Sequence, residues 1–331
     1  MKQALMTRGA NRILTVCAAL KPKERVVIVS DFRQQPLAEA LTNAALALGA
    51  DVVVTSMEPR RYDGQEPPLA VANAIADTDL VVSVAATSIT HSTAIKTAIA
   101  NGARGIMLSA FVDEQMIGGG IDADFAAIEP LCRKVADLLG RAGHARLTTP
   151  AGTDLTMRLD DRPGNAHTGL AHVGGVFTTV PNIESSVSPV EGTAEGTIVA
   201  DASIPYFSIG LLREPVRYTV KRGAITAIDG GAQARSIAAK MAEVQDPAAY
   251  NIAQLSFGLN PLCEMDGIML NDEGVYGTSH IGIGTSTSLG GTVKAPMHYD
   301  ALMWRPTLEL DGETVLEDGV WLLEEAEGIA G

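Results

Sequence analysis

The sequence predicts an α/β fold in two parts, an N-terminal doubly wound parallel sheet and a C-terminal antiparallel, strand-rich α+β domain that carries a metal site. Three observations lead there. Short apolar runs alternate with helical segments up to residue 144, the pattern changes to short alternating or β-branched stretches from residue 145, and histidines and acids gather between Glu184 and Asp300. At 331 residues the chain is long for one core, so two domains are expected, 1–144 and 145–331.

The elements of the first half follow in order. An apolar run broken by Arg12 and ending at Lys21-Pro22-Lys23 reads as an amphipathic first helix rather than a signal peptide. Val26-Val27-Ile28-Val29 is the unbroken apolar run of a strand buried on both faces. A helix from Pro36 to Leu48 ends at Gly49, where a glycine C-cap belongs. The pattern then repeats: strand from Asp51, helix from Leu69, strand from Leu80, helix from Thr93, strand from Gly105, and a closing helix from Asp124 to Gly140. Short connections imply right-handed βαβ units and a parallel sheet. Ligands of such sheets sit beyond the carboxyl ends of the strands, here Ser30-Asp31-Phe32, Ala85-Ala86-Thr87 and Ser109-Ala110-Phe111. None of these loops carries a dinucleotide fingerprint or a phosphate-binding glycine loop, so no nucleotide cofactor is expected.

In the second half the strands are short. Asp154 to Leu159, Gly196 to Ala200, Val216 to Val220 and Ala224 to Ile228 alternate apolar and polar residues or are β-branched, with turns at Lys221-Arg222-Gly223 and Asp229-Gly230-Gly231. One helix, Gln233 to Val244, interrupts them.

Composition narrows the partners. A formal charge of -14 argues against nucleic acid and against an anionic membrane, both of which need a basic footprint, and leaves a small-molecule substrate. Cys17, Cys132 and Cys263 form no C-x-x-C spacing and are expected as buried free thiols of a cytoplasmic protein. No apolar stretch is long enough to span a bilayer.

Histidine is scarce, which makes the candidates few. His91 begins a helix just past the third strand, where it either faces a substrate or caps the helix. His167 and His172 lie in a glycine-rich loop before the strand Val176 to Val180 and are candidates for substrate contact. In a strand, His298 and Asp300 point the same way, with Tyr299 turned from them, so the pair is able to grip one metal ion. Upstream stand His280, in a glycine-rich segment, and Glu184, where a strand opens into a serine-rich loop. Two imidazoles with one or two carboxylates suit Zn, Mn or Fe.

Pro181-Asn182-Ile183-Glu184, Glu195-Gly196, Phe257-Gly258-Leu259-Asn260-Pro261, Asp272-Glu273, Gly277 to Gly284 and His298-Tyr299-Asp300 resemble, in this order, the successive motifs of the aminopeptidase T family of metallopeptidases. They also resemble a shorter relative in that family, 2,5-dihydroxypyridine 5,6-dioxygenase, an Fe(II) enzyme that opens a pyridine ring. Carried over by position, the peptidase pattern implies that Glu184, His280, His298 and Asp300 hold the metal. Gln254 stands where the peptidases place a second metal-binding glutamate, and Thr287 where they place a tyrosine. The dioxygenase's first iron-binding histidine also falls at Gln254, and His280 would replace it in space. The resemblance further implies a homodimer or higher homo-oligomer.

The first expectation is therefore a metal-dependent hydrolase of an amide or related C–N bond in a small nitrogen-containing molecule, not a general peptidase. One divalent ion (Zn, Mn or Fe) is held by His280, His298 and Asp300. Glu184 is a fourth ligand or the general base, and Gln254 bonds substrate or water. His91, His172 and Thr287 are the expected substrate contacts. The alternative is Fe(II)-dependent ring cleavage of a hydroxylated N-heterocycle, and a third reading is a metal-free descendant that binds a ligand without turning it over.

Overall fold

A computed structural model describes residues 2–329. The chain is mixed α/β, with a parallel sheet of five strands and a strand-rich antiparallel remainder. It divides into two compact units, one of residues up to Phe125 together with Gly169–Pro181, the other of Ala126–Thr168 together with Asn182 onward. The sequence reading places a single crossing at residue 144. The observed division instead groups most of the helix Phe125–Arg141 with the second unit and returns a later segment to the first.

The first unit is built on strands Arg25–Asp31, Asp51–Met57, Leu80–Val84, Arg104–Met107 and Phe177–Thr179. All neighbours run parallel, and the second strand in sequence lies outside the first. That order is the flavodoxin-like form of a doubly wound sheet. Val27, Val29 and Val81 pack with Val71 and Ile75 of one helix and with Ile95 and Ile99 of another, while Val26 and Ile28, on alternate positions, are equally buried. Burial on both faces is why these runs are apolar throughout. The Phe177–Thr179 strand, read from sequence with the second half, pairs instead with Gly105, Ile106 and Met107. Gly105 explains the close fit, since a Cβ there would lie 2.8 Å from the Cβ of Phe177.

The second unit holds an eight-stranded antiparallel sheet, a two-stranded ribbon and a five-stranded antiparallel sheet. The last runs in the order His298–Trp304, Thr278–Gly284, Ile252–Gly258, Glu184–Val187, Gly164–His167. The helix Phe125–Arg141 buries Ile128, Leu131, Val135 and Leu139, spaced three to four residues apart as one helical face requires, with Cys132 beside them. It locks the strand that begins at Glu184: Ser185 Oγ donates to the Cys132 carbonyl at 2.6 Å, and Cys132 Sγ to the Glu184 carbonyl at 3.2 Å. All three cysteines are buried free thiols. Among the described residues no helix is long and apolar enough to cross a membrane.

Candidate metal centre

Strand register decides which side chains meet. Gln254 lies opposite Gly282, which lies opposite Asp300 on the next strand. Two residues along, Ser256 pairs with His280, and on the far side Ser256 pairs with Ser186. Side chains two apart on a strand share a face, so His298, Asp300, His280, Gly282, Gln254, Ser256 and Glu184 all lie on one face of the sheet. Glu184 in turn lies opposite His167.

The donor atoms converge at the middle of that face. His280 Nε2 lies 3.0 Å from Glu184 Oε2 and 3.9 Å from Asp300 Oδ1, and His298 Nε2 lies 3.4 Å from Asp300 Oδ1. Side chains of Glu184, His280 and Asp300 are less than a tenth exposed, and that of His298 about a quarter. Among the described residues the ion-pair partners of both acids are histidines alone.

Neighbours fix the orientation of each group. His298 Nδ1 lies 2.9 Å from the Thr285 carbonyl; a proton on Nδ1 satisfies that contact and leaves the Nε2 lone pair facing the acids. Ser256 Oγ donates to Glu184 Oε2 at 3.1 Å. Tyr206 Oη lies 3.1 Å from Asp300 Oδ2 and 3.2 Å from Glu273 Oε1, and Asn182 Nδ2 donates to Glu273 Oε2 at 3.4 Å. Asp300 Oδ1 and His280 Nδ1 are buried without a hydrogen-bond partner.

Electrostatics follow from this layout. Burial alone would raise both acids, yet the His280 imidazole holds Glu184 below its ordinary value, and His298 holds Asp300 down to about 2. Burial would lower the imidazoles, but Glu184 pulls His280 up and Asp300 pulls His298 up. Glu273 moves the other way, well above a normal carboxylate, because it is buried beside the charges of Asp300 and Glu184. The cluster is thus acid-rich and buried, and it draws positive charge to itself.

Five of the nine residues singled out from the sequence, Glu184, Gln254, His280, His298 and Asp300, are brought together here, and His167, expected in a loop, ends the strand Gly164–His167 opposite Glu184. Thr287 sits in an exposed turn beyond the His280 strand, its hydroxyl 3.4 Å from that of Thr285. His91 and His172 belong to the first unit. There Ser92, not His91, caps the helix Thr93–Ala100 by accepting from the Ile95 N–H, and His172 Nε2 lies 2.6 Å from the Val16 carbonyl. Sequence reasoning passed over Ser256, which a two-residue step from Gln254 would have found, and Tyr206, which no spacing marks.

Comparison with known proteins bears on what this cluster serves. The family model NicX, described as 2,5-dihydroxypyridine 5,6-dioxygenase, matches residues 6–322. A curated 2,5-dihydroxypyridine 5,6-dioxygenase from Pseudomonas putida is 28% identical over 194 residues. That match covers 55% of this chain and spans about half, 55%, of the relative's length. A solved 2,5-dihydroxypyridine dioxygenase from Pseudomonas putida KT2440 superposes with a TM-score of 0.82 at 23% identity, over 98% of this chain and 99% of that one. AmpT from Thermus thermophilus superposes with a TM-score of 0.71 at 15% identity, over 98% and 100%. At these identities the two structures speak for the fold.

These findings overturn the expectation of a C–N hydrolase, because the family model and the curated relative both describe a dioxygenase. The physical reason for the misreading is that two imidazoles and an acid on adjacent strands suit a water-activating ion as well as an oxygen-using one, and the sequence motifs mark only those side chains. With its family model matched from residue 6 to residue 322, the chain belongs to the 2,5-dihydroxypyridine 5,6-dioxygenase family of enzymes.

Proposed function

We propose that this protein is an Fe(II)-dependent dioxygenase that opens the ring of a hydroxylated N-heterocycle of the 2,5-dihydroxypyridine kind. The observation that carries the reading is the meeting of His280, His298 and Asp300 on one sheet face, in a chain of this family. Two histidines and one carboxylate form the donor set of non-haem iron oxygenases.

The donor set suits a divalent cation by its chemistry, although among the described residues no three of these groups already stand in metal-holding geometry. Two buried carboxylates face each other's imidazole partners with no lysine or arginine paired to either among the described residues, and Asp300 Oδ1 lacks a hydrogen-bond partner. Buried charge of that kind calls for a compensating ion. His280, His298 and Asp300 would hold it, with Glu184 beside them. A ferrous ion bound there supplies the redox chemistry with dioxygen that amino-acid side chains lack.

The chain's own residues do the rest. The Thr285 carbonyl keeps His298 in one tautomer and orientation. Glu184, ionised and steadied by Ser256, accepts a proton from a ring hydroxyl of the bound substrate. Gln254, on the same face and nearly buried, offers both a donor and an acceptor to the ring substituents.

The test is oxygen uptake by protein loaded with Fe(II) under anaerobic conditions and then given 2,5-dihydroxypyridine. Equimolar loss of O₂ and substrate is expected, with no loss when oxygen is excluded. Substrate loss that continues without oxygen, or none from iron-loaded protein in air, overturns the reading.

A further inference from the structure

We infer that Tyr206 is a positioning residue for the metal ligand Asp300, an inference that rests on the reading of Asp300 as a ligand. Asp300 has two carboxylate oxygens with different surroundings. Oδ1 faces His298 Nε2 at 3.4 Å and His280 Nε2 at 3.9 Å and has no hydrogen-bond partner. Oδ2 is turned away, 3.1 Å from Tyr206 Oη. The tyrosine therefore selects which oxygen is presented to the imidazoles.

Tyr206 is itself held. Its hydroxyl touches Glu273 Oε1 at 3.2 Å and Met269 Sδ at 3.1 Å, and its ring meets that of Tyr299 edge-on with centroids 6.4 Å apart. Glu273 is fixed from the other side by Asn182 at 3.4 Å. These anchors come from two other stretches of chain, 269–273 and Tyr299, so the hydroxyl is held in place if the Asp300 side chain rotates. Without it, the freed Oδ2 would compete with Oδ1 for the same cation, and the carboxylate would have two orientations of similar energy. Hydrogen bonds of this kind to a ligating group are worth about 10- to 100-fold in metal affinity.

The test uses the full chain and Co(II) as a spectroscopic probe. Affinity is measured by competition with a chelator, the ligand field by visible absorption, and the fold by thermal melting of the metal-free protein. Wild type is expected to bind one Co(II), and Tyr206→Phe to bind it about 10- to 100-fold more weakly with an altered visible spectrum and an intact melting transition. Met269→Leu removes the sulfur contact but leaves the Asp300 bond, and is expected to match wild type. Wild-type affinity and spectrum in Tyr206→Phe would overturn the role of Tyr206 alone. Equal weakening in Met269→Leu would also overturn it, by showing a packing effect. Failure of wild type to bind Co(II) would overturn the metal reading and this inference with it.

Discussion

Gly282→Ala is the perturbation whose outcome the structure dictates most closely. Gly282 sits between Gln254 and Asp300 across the sheet, and a Cβ there would lie 2.7 Å from Gln254 Cβ, 2.7 Å from His298 Cε1 and 2.8 Å from His298 Nε2. Ordinary contact begins at 3.4 Å, so the imidazole or the strand must retreat by about 0.7 Å. Gln254 Cβ is tied to its backbone and yields little, which leaves the His298 ring to move. Gly282 is outside the positive-φ region, so alanine suffers no backbone strain and would by itself stabilise by about 0.4–1 kcal/mol. Overpacking costs about 1–3 kcal/mol and outweighs it. A net loss of about 1–2 kcal/mol is expected, read as a modest fall in the melting temperature of metal-free protein. The larger effect falls on the site, where displacement of a functional group by about 1 Å costs on the order of 100-fold in rate. Fe(II) titration and steady-state oxygen uptake would measure it. Unchanged iron affinity together with unchanged turnover would refute the packing argument.

Removing His298 by alanine should abolish tight metal binding while far-UV circular dichroism stays native, as elemental analysis of the purified variant would show; full metal content in that variant would remove the histidine from the ligand set. Asp272 gives a pH prediction away from the metal ligands. Burial raises its carboxyl to about 6 despite hydrogen bonds from the Asp266 and Gly267 N–H groups. The folded state then holds this proton more tightly than the unfolded chain. Its contribution to stability is present below about pH 4 and is lost as the pH rises to about 6, a change of at most about 3 kcal/mol. Asp272→Asn keeps an acceptor for both N–H groups and should flatten that part of the pH profile, as urea unfolding at pH 4, 5 and 6 would check.

The parts of the fold that could be read from sequence are those where burial writes a local pattern. Val26 to Val29 and Leu80 to Val82 are apolar throughout because both sheet faces are covered, and the pattern alone identifies them as parallel strands. Phe177–Thr179 was harder to place, since three residues carry no period and their partner at Gly105 is more than seventy positions away. The Asp51–Met57 strand reads as core yet forms the sheet edge, with Val53 and Val54 nearly half exposed, because nothing local distinguishes an outer strand from an inner one.

The site shows the same division. His298 and Asp300 were legible because a two-residue step puts them on one face, and their pairing with Gly284 and Gly282 keeps that face open. Tyr206 was not, because its bond to Asp300 links residues 94 apart and it lies in the loop between the two-residue strands Ser203–Ile204 and Gly210–Leu211, too short to carry a pattern. The choice between hydrolysis and oxygenation was equally beyond local pattern, since a histidine–acid motif of this kind suits either chemistry.

The most direct test is anomalous diffraction at the iron edge from crystals loaded with Fe(II) without oxygen. A single peak bound by His280 Nε2, His298 Nε2 and an oxygen of Asp300 is the expected result. Iron seated elsewhere, or a peak that leaves out either histidine, would contradict the account.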